Sequence, residues 1–219
     1  MRLPFNKTLD IRREIMIREH LLGRGVHDPA VLAAMREVPR EAFVDVGMQD
    51  LAYEDHPLSI AGGQTISQPY IVAYMTEALQ LSVTDRVLEI GTGSGYAAAV
   101  LSRIVATVHT VERLADLAGS ARRRLEMLGY TNIVVHEGDG TLGWPEHAPY
   151  DAIVVTAAAP QVPKPLLEQL AIGGRLVIPV GSYSYLQTLM RVRRTGEHDY
   201  RNEELCGVRF VPLIGAEGW

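Results

Sequence analysis

The stretch Val87-Leu88-Glu89-Ile90-Gly91-Thr92-Gly93-Ser94-Gly95-Tyr96 constrains this chain more than any other. A short apolar run leads into three alternating glycines, and a helix-favouring Ala97-Ala98-Ala99 comes next. Glycine lets a backbone adopt positive φ and approach a ligand closely. A strand, a glycine turn and a helix in succession place that turn at the carboxyl end of a strand, where open α/β sheets bind ligands. The glycines alone do not separate a binding turn from a tight packing turn.

The same rhythm continues along the chain. Residues 86–90, 107–111, 133–136, 151–155 and 175–180 predict strands, and 96–104, 114–128 and 166–170 predict helices. Continuous apolar strands alternating with helices indicate βαβ units, and so a doubly wound, mostly parallel α/β sheet. Residues 186–192 and 208–213 predict two more strands, joined by the polar segment 193–204. No crossover helix of useful length fits there, so the pair should form an antiparallel edge. Upstream, Asp10 can cap a helix carrying Ile11, Ile15 and Leu22 and ending at Gly23. Asp28-Pro29 opens a second helix through Met35, and Pro39 stops it. The run Gln64-Thr65-Ile66-Ser67-Gln68-Pro69 leads into a third helix ending near Leu79, with Ser67 and Pro69 at its start. One domain over 1–219 is expected: a helical appendage with a substrate loop (1–80) and a cofactor-binding core with C-terminal strands (81–219).

Composition narrows the function. A chain of 219 residues, 47% hydrophobic and 21% charged, buries a sizeable core without staples. A net charge of −5 argues against nucleic acid as the main partner. The one cysteine, Cys206, excludes an internal disulfide and fits a reducing compartment. The first residues lack the apolar segment of a signal peptide, and no apolar run is long enough to span a membrane. A cytoplasmic protein is therefore expected. The seven histidines show no metal-ligand spacing, and Met16, Met35 and Met75 read as core filler.

The surroundings of the glycine turn indicate what it holds. The third glycine stands one place earlier than in the dinucleotide fingerprint, which favours a nucleoside without pyrophosphate over a nicotinamide dinucleotide. Glu112 ends the second strand about twenty residues on, where an acid can accept both ribose hydroxyls. Glu89 lies inside an apolar strand and needs hydrogen bonds, which the amides of the turn can supply; it is a brace for the turn, a cofactor contact, or both. Asp139-Gly140 comes after the third strand, where a carboxylate can take an adenine amino group or simply form an Asp-Gly turn. Together, the acids and the Gly91, Gly93 and Gly95 turn describe a cationic nucleoside: adenine, ribose and a sulfonium, as in S-adenosylmethionine.

Other segments carry a resemblance. The stretches 51–55, 64–69, 87–96, 142–145, 151–160, 173–181 and 208–213 resemble the protein-L-isoaspartate O-methyltransferases, and the likeness extends over nearly the whole chain. The glycine turn is common to many methyltransferases; Thr-Ile-Ser-Gln-Pro and Arg-Phe-Val-Pro-Leu are far more specific. The resemblance implies an enzyme that uses S-adenosylmethionine to methylate isoaspartyl carboxylates in damaged proteins; a monomer is expected. It implies Ser67 as catalytic residue, with Thr65 and Ile66 lining the same site. It implies cofactor contacts at Gly91, Glu112, Asp139 and Gly140, and a strand at Val208, Arg209 and Phe210 bordering the substrate peptide. Ile214, Ala97 and Ala61 depart from the family pattern, but no departure removes Ser67 or an acid. Ser67 can equally be a helix cap. A small-molecule O-methyltransferase would share the cofactor turn, but has no reason to combine it with both specific segments. A non-catalytic binder of isoaspartyl peptides has no need of the cofactor acids.

Overall fold

The computed structural model describes residues 7–182 and 185–219. Its first helix, α1 (Lys7–Ile15), runs into a π-helical turn (Met16–Leu21) and a 3-10 turn (Leu22–Arg24). This corrects the expected register. Asp10 lies within α1 instead of capping it, and Ile11 is 53% exposed, Ile15 37% and Leu22 39%. A π turn inserts an extra residue per turn and rotates the residues after it. The buried set is Leu9 on α1 with Met16, Ile17 and Leu21 on the π turn, which shifts the phase so that Leu21 rather than Leu22 faces inward. The chain turns at Gly25, where φ is 92°, not at Gly23. Helix α2 (Pro29–Glu37) starts as its residue types require: Asp28 accepts the Ala30 and Val31 amides at 2.8 and 3.2 Å, and Pro29 occupies the first turn.

A short antiparallel ribbon comes next, β1 (Leu58–Ser59) with β2 (Thr65–Ile66), closed by a turn through Ala61–Gly63. Helix α3 (Pro69–Ala78) begins two residues after Ser67. Its cap position is Gln68, whose side chain makes no capping bond, so Ser67 is not the residue at the cap position. Ser67 belongs instead to the extended link between β2 and α3.

The alternation read from the sequence then appears: β3 (Arg86–Ile90), α4 (Tyr96–Ser102), β4 (Thr107–Glu112), α5 (Ala115–Met127), β5 (Ile133–Glu137), β6 (Tyr150–Val155), α6 (Lys164–Glu168) and β7 (Leu170–Val180). These five strands are parallel, and β8 (Gln187–Arg194) and β9 (Tyr200–Val208) add antiparallel at one side. The order across the sheet is β5-β4-β3-β6-β7-β8-β9, so chain direction switches beside β3. The antiparallel edge is as expected, but its outer strand is not. Of the polar segment 193–204 read as a connection, only 195–199 connects the strands and 200–204 opens β9, while 209–213 leaves the sheet and makes only a bridge from Pro212 to Ala158. Edge strands tolerate polar faces; Arg201, Asn202, Glu203 and Glu204 are exposed on β9, so no apolar pattern marked it.

Both faces of the sheet are buried, which explains the apolar runs. Val87, Val108, Ala152 and Val177 join the core that also packs α1 to α4. Leu88, Ile90, Val111 and Ile153 face the opposite core, with Leu166 of α6. The carboxyl ends of β3, β4 and β6 stay open between these layers.

Candidate active site

Three adjoining cavities lie at the carboxyl ends of the parallel strands, and Thr65 and Thr156 line all three. The first runs under α3, past Ile66, Ser67, Ala97, Tyr96 and the glycine turn. The second lies over β4, between Glu112, Gly140 and the tail residues Leu213 and Ile214. The third is a cleft of about 790 Å³ between α3 and the tail, bordered by Ser67, Gln68, Val208, Arg209 and Phe210. Gly91 and Gly93 are common to the first two, and Ser67 to the first and third. One bent ligand can thus fill the first two cavities, with a second ligand reaching it from the third.

The glycine turn is shaped to leave this space. Gly91 has φ 95°, and a Cβ there would sit 2.4 Å from Thr156 Oγ1. A Cβ at Gly140 would sit 2.4 Å from Ile90 Cγ2. Gly93 has φ 53°, and its amide donates to Glu112 Oε2 at 2.9 Å. The Leu114 amide donates to Oε1 of the same carboxylate at 3.0 Å. Two backbone donors therefore fix the Glu112 carboxylate while it lines the second cavity. A carboxylate accepts at about four lone-pair sites, so capacity remains for two hydroxyls.

Other residues selected from the sequence lie elsewhere. Gly95 lines none of the three cavities: its missing Cβ admits Leu125 and Ala121 of α5, at 3.4 and 3.6 Å from where it would stand. Glu89 is fully buried in β3 and also lines none of them. Its bond is not to the turn amides but to the Thr110 hydroxyl, which donates at 2.5 Å; the Thr110 and Thr92 hydroxyls are 2.7 Å apart. The glutamate thus braces the turn at one remove, through Thr92. Burial, with the charge of Glu112 adding, pushes its carboxyl up to about 8 despite the Thr110 bond, so it is mostly protonated at neutral pH. The Asp139 carboxylate accepts the Thr141 amide and hydroxyl at 2.9 and 2.7 Å and the Ala216 amide at 2.8 Å. Burial opposes, but these bonds win and hold its pKa below the usual carboxylate range. Asp139 pins the C-terminal tail beside the second cavity, and its neighbour Gly140 forms the cavity wall.

Three contributors escaped the sequence reading. Thr156 donates to Ile90 O and Gly91 O at 3.0 and 2.9 Å. As the first polar residue after the apolar run of β6, it was open to detection by its place at a strand's carboxyl end. Gln187 is 2% exposed and clamps Phe210 from both sides, accepting its amide at 2.8 Å and donating to its carbonyl at 3.4 Å. Arg40 is fully buried behind Ser67, and nothing in its sequence neighbourhood indicates burial. Cys206, read as a small apolar residue, is half-buried and lines the cleft.

Known proteins resemble this chain in sequence and in fold. The family model described as protein-L-isoaspartate(D-aspartate) O-methyltransferase matches residues 12–218. Protein-L-isoaspartate O-methyltransferase 2 of Pelobacter propionicus is 77% identical over 219 residues, covering 100% of this chain and 97% of that protein. Protein-L-isoaspartate O-methyltransferase 1 of Geotalea uraniireducens is 74% identical over 219 residues, covering 100% of both. A solved protein-L-isoaspartate O-methyltransferase superposes with a TM-score of 0.85 at 34% identity, over 94% of this chain and 67% of that one. A Plasmodium falciparum structure, titled as a complex of such a protein with S-adenosyl-L-homocysteine, gives a TM-score of 0.78 at 25% identity, over 93% and 98%. Matched along nearly its whole length in sequence and in fold, the chain belongs to the protein-L-isoaspartate(D-aspartate) O-methyltransferase family.

Proposed function

We propose that this chain methylates the free carboxylate of isoaspartyl residues in damaged proteins, the first step of their repair, with Ser67 as the catalytic residue. The observation that carries this reading is the junction at Thr65 and Thr156, where the two cavities along the glycine turn and Glu112 meet the cleft of about 790 Å³ between α3 and the tail. S-adenosylmethionine, when bound, supplies a methyl group activated by a sulfonium. Glu112 would hold its ribose hydroxyls, with Gly91, Gly93 and Gly140 lying close along the nucleoside. The methionine portion would lie along Ile66 and Tyr96 in the first cavity.

The residues have positioning to do, not proton transfer. A free carboxylate has a pKa near ~4, so it is ionised at neutral pH and needs no general base. Ser67 borders both the first cavity and the cleft, so its hydroxyl can donate to that carboxylate at their junction. Thr65 stands at the same crossing. Val208, Arg209 and Phe210 form the opposite wall, with Phe210 immobilised by Gln187. Orientation of this kind is worth roughly 7–11 kcal/mol in favourable cases.

A methyl-transfer assay on an isoaspartyl peptide and its ordinary aspartyl counterpart tests the substrate. Transfer to the isoaspartyl peptide alone is expected; equal labelling of both would sink the assignment. Ser67→Ala should lower kcat/KM by roughly 10- to 100-fold, the loss of one hydrogen bond to a charged group. Undiminished turnover would remove Ser67 from the mechanism. We also propose a cytoplasmic monomer with no nucleic-acid or membrane partner. The net charge of −5 supports the lack of a nucleic-acid partner, and no helix among the described residues is long and apolar enough to cross a membrane. Sedimentation should give one species near 24.1 kDa; a dimer mass would refute the monomer.

A further inference from the structure

Arg40 is the largest fully buried side chain among the described residues, with no solvent-exposed surface. Among those residues no carboxylate forms an ion pair with it, and its Nη1 has no hydrogen-bond partner. Burial pulls its pKa below the usual arginine value, against the attraction of Tyr96, Tyr53 and the more distant Asp55. Desolvating a cation with no carboxylate in direct contact is costly, so the bonds it does make call for an explanation.

One of those bonds reaches the reaction site, and the other anchors the fork to the loop before it. Nε donates to Ala52 O at 2.7 Å, and Nη2 donates to Ser67 O at 2.8 Å. The guanidinium also lies 4.8 Å from the ring centroid of Tyr96, which walls the first cavity. A guanidinium is a rigid fork of donors, so it holds the two carbonyls at a fixed separation. The peptide unit is planar and trans. Fixing the Ser67 carbonyl toward Arg40 therefore directs the Gln68 amide the opposite way. From the other side, the Gln68 side chain donates to Asp55 O and Asp55 Oδ2, both at 2.9 Å. The Ser67–Gln68 peptide is gripped at both ends.

We propose that Arg40 is a positioning residue for methyl transfer: from behind the site it sets the Ser67–Gln68 peptide, so that the Ser67 hydroxyl and the Gln68 amide are presented together to the substrate carboxylate. The inference rests on the reading of Ser67 as the residue that binds that carboxylate. Arg40 touches neither ligand and acts through Ser67.

The test uses the full chain with Arg40→Met, Arg40→Lys, Arg40→Ala and Ser67→Ala. The readouts are kcat at saturating isoaspartyl peptide, peptide KM, and S-adenosylhomocysteine affinity by calorimetry. Arg40→Met should lower kcat about 100-fold, the scale of a misplacement near 1 Å, while cofactor affinity changes less than about threefold. Arg40→Lys, which keeps the charge but not the fork, should also lose most of kcat, and it remains informative if the methionine variant fails to fold. Methylguanidinium added to Arg40→Ala should restore part of kcat. Full kcat in a folded Arg40→Met or in Arg40→Lys would overturn the proposal. So would parallel loss of turnover and cofactor affinity, which marks a purely structural role. Full activity in Ser67→Ala would instead overturn the reading of Ser67, and the two failures are separable.

Discussion

Gly91→Ala should abolish measurable S-adenosylhomocysteine binding and methyl transfer while leaving a folded protein. Two independent effects act at this one position. The backbone there has φ 95°, a region that costs an L-residue roughly 1–2 kcal/mol. The new methyl group would also stand 2.4 Å from Thr156 Oγ1, a distance that no unshifted packing allows. Thr156 cannot simply rotate away, because its hydroxyl is bonded to Ile90 O and Gly91 O. The strain must therefore open the turn, at the point where the two nucleoside cavities join. Glu112 would be disturbed as well, since the Gly93 amide that fixes it belongs to the same turn. Calorimetric titration should show a loss of at least ~100-fold in affinity, since misalignment on this scale at a preorganised site costs that much. Near-normal affinity would mean that the turn is not the cofactor cradle. Gly95→Ala makes the contrast: its Cβ would meet Leu125 and Ala121, so it should lower stability before it lowers affinity.

Glu89→Gln should stabilise the protein progressively as pH rises from about 4.5 to 8. The folded carboxyl titrates near 8, raised from an ordinary value of 4.5, because burial in β3 and the charge of Glu112 disfavour its ionised form. A raised pKa means that the fold retains a proton which the unfolded chain releases. Stability from this group is therefore complete below 4.5 and lost as pH climbs through 8. Each unit of difference is worth about 1.4 kcal/mol, so the wild-type penalty reaches the order of 3 kcal/mol near pH 7. Glutamine has no proton to lose and can still meet the Thr110 hydroxyl. For a chain of this size, the melting temperature of the variant should exceed wild type by roughly 5–10 °C at pH 7.5 and converge with it near pH 4. A difference that stays constant across that range would show that Glu89 is ionised in the fold. Because the chain from Glu89 runs through Thr110 and Thr92 to the glycine turn, cofactor affinity should change little.

Much of the architecture was legible because it rests on local rules. Parallel strands buried on both faces are largely apolar, and residues 152–155 announce themselves that way, while 86–90 and 107–111 carry enough Val, Leu and Ile to read as strands despite Glu89, His109 and Thr110. Asp28-Pro29 caps α2 through bonds to amides two and three residues away, which sequence spacing specifies directly. Local rules failed where a neighbour intervened. Helix α1 turns Leu9 inward and leaves Ile11 and Ile15 outside, and the π turn that comes next buries Met16, Ile17 and Leu21 but not Leu22. Strand β9 is an edge, so its polar faces gave no alternation to read.

The site divides in the same way. Gly91, Gly93 and Glu112 were visible because a glycine turn and an acid at the next strand end are one local unit, joined by the Gly93 amide. Their partners come from far along the chain: Thr156 lies 65 residues beyond Gly91, and Arg40 lies 27 before Ser67. The order of amino acids determined the sheet, the turn and the chemistry of a cationic nucleoside, since backbone conformation and apolar period act over a few residues. Only the tertiary structure decided that Glu89 supports the turn from beneath, that Asp139 holds the tail, and that a buried arginine grips Ser67. Each of those outcomes depends on which side chain desolvates against which carbonyl, and such pairings exist only once distant segments have packed together.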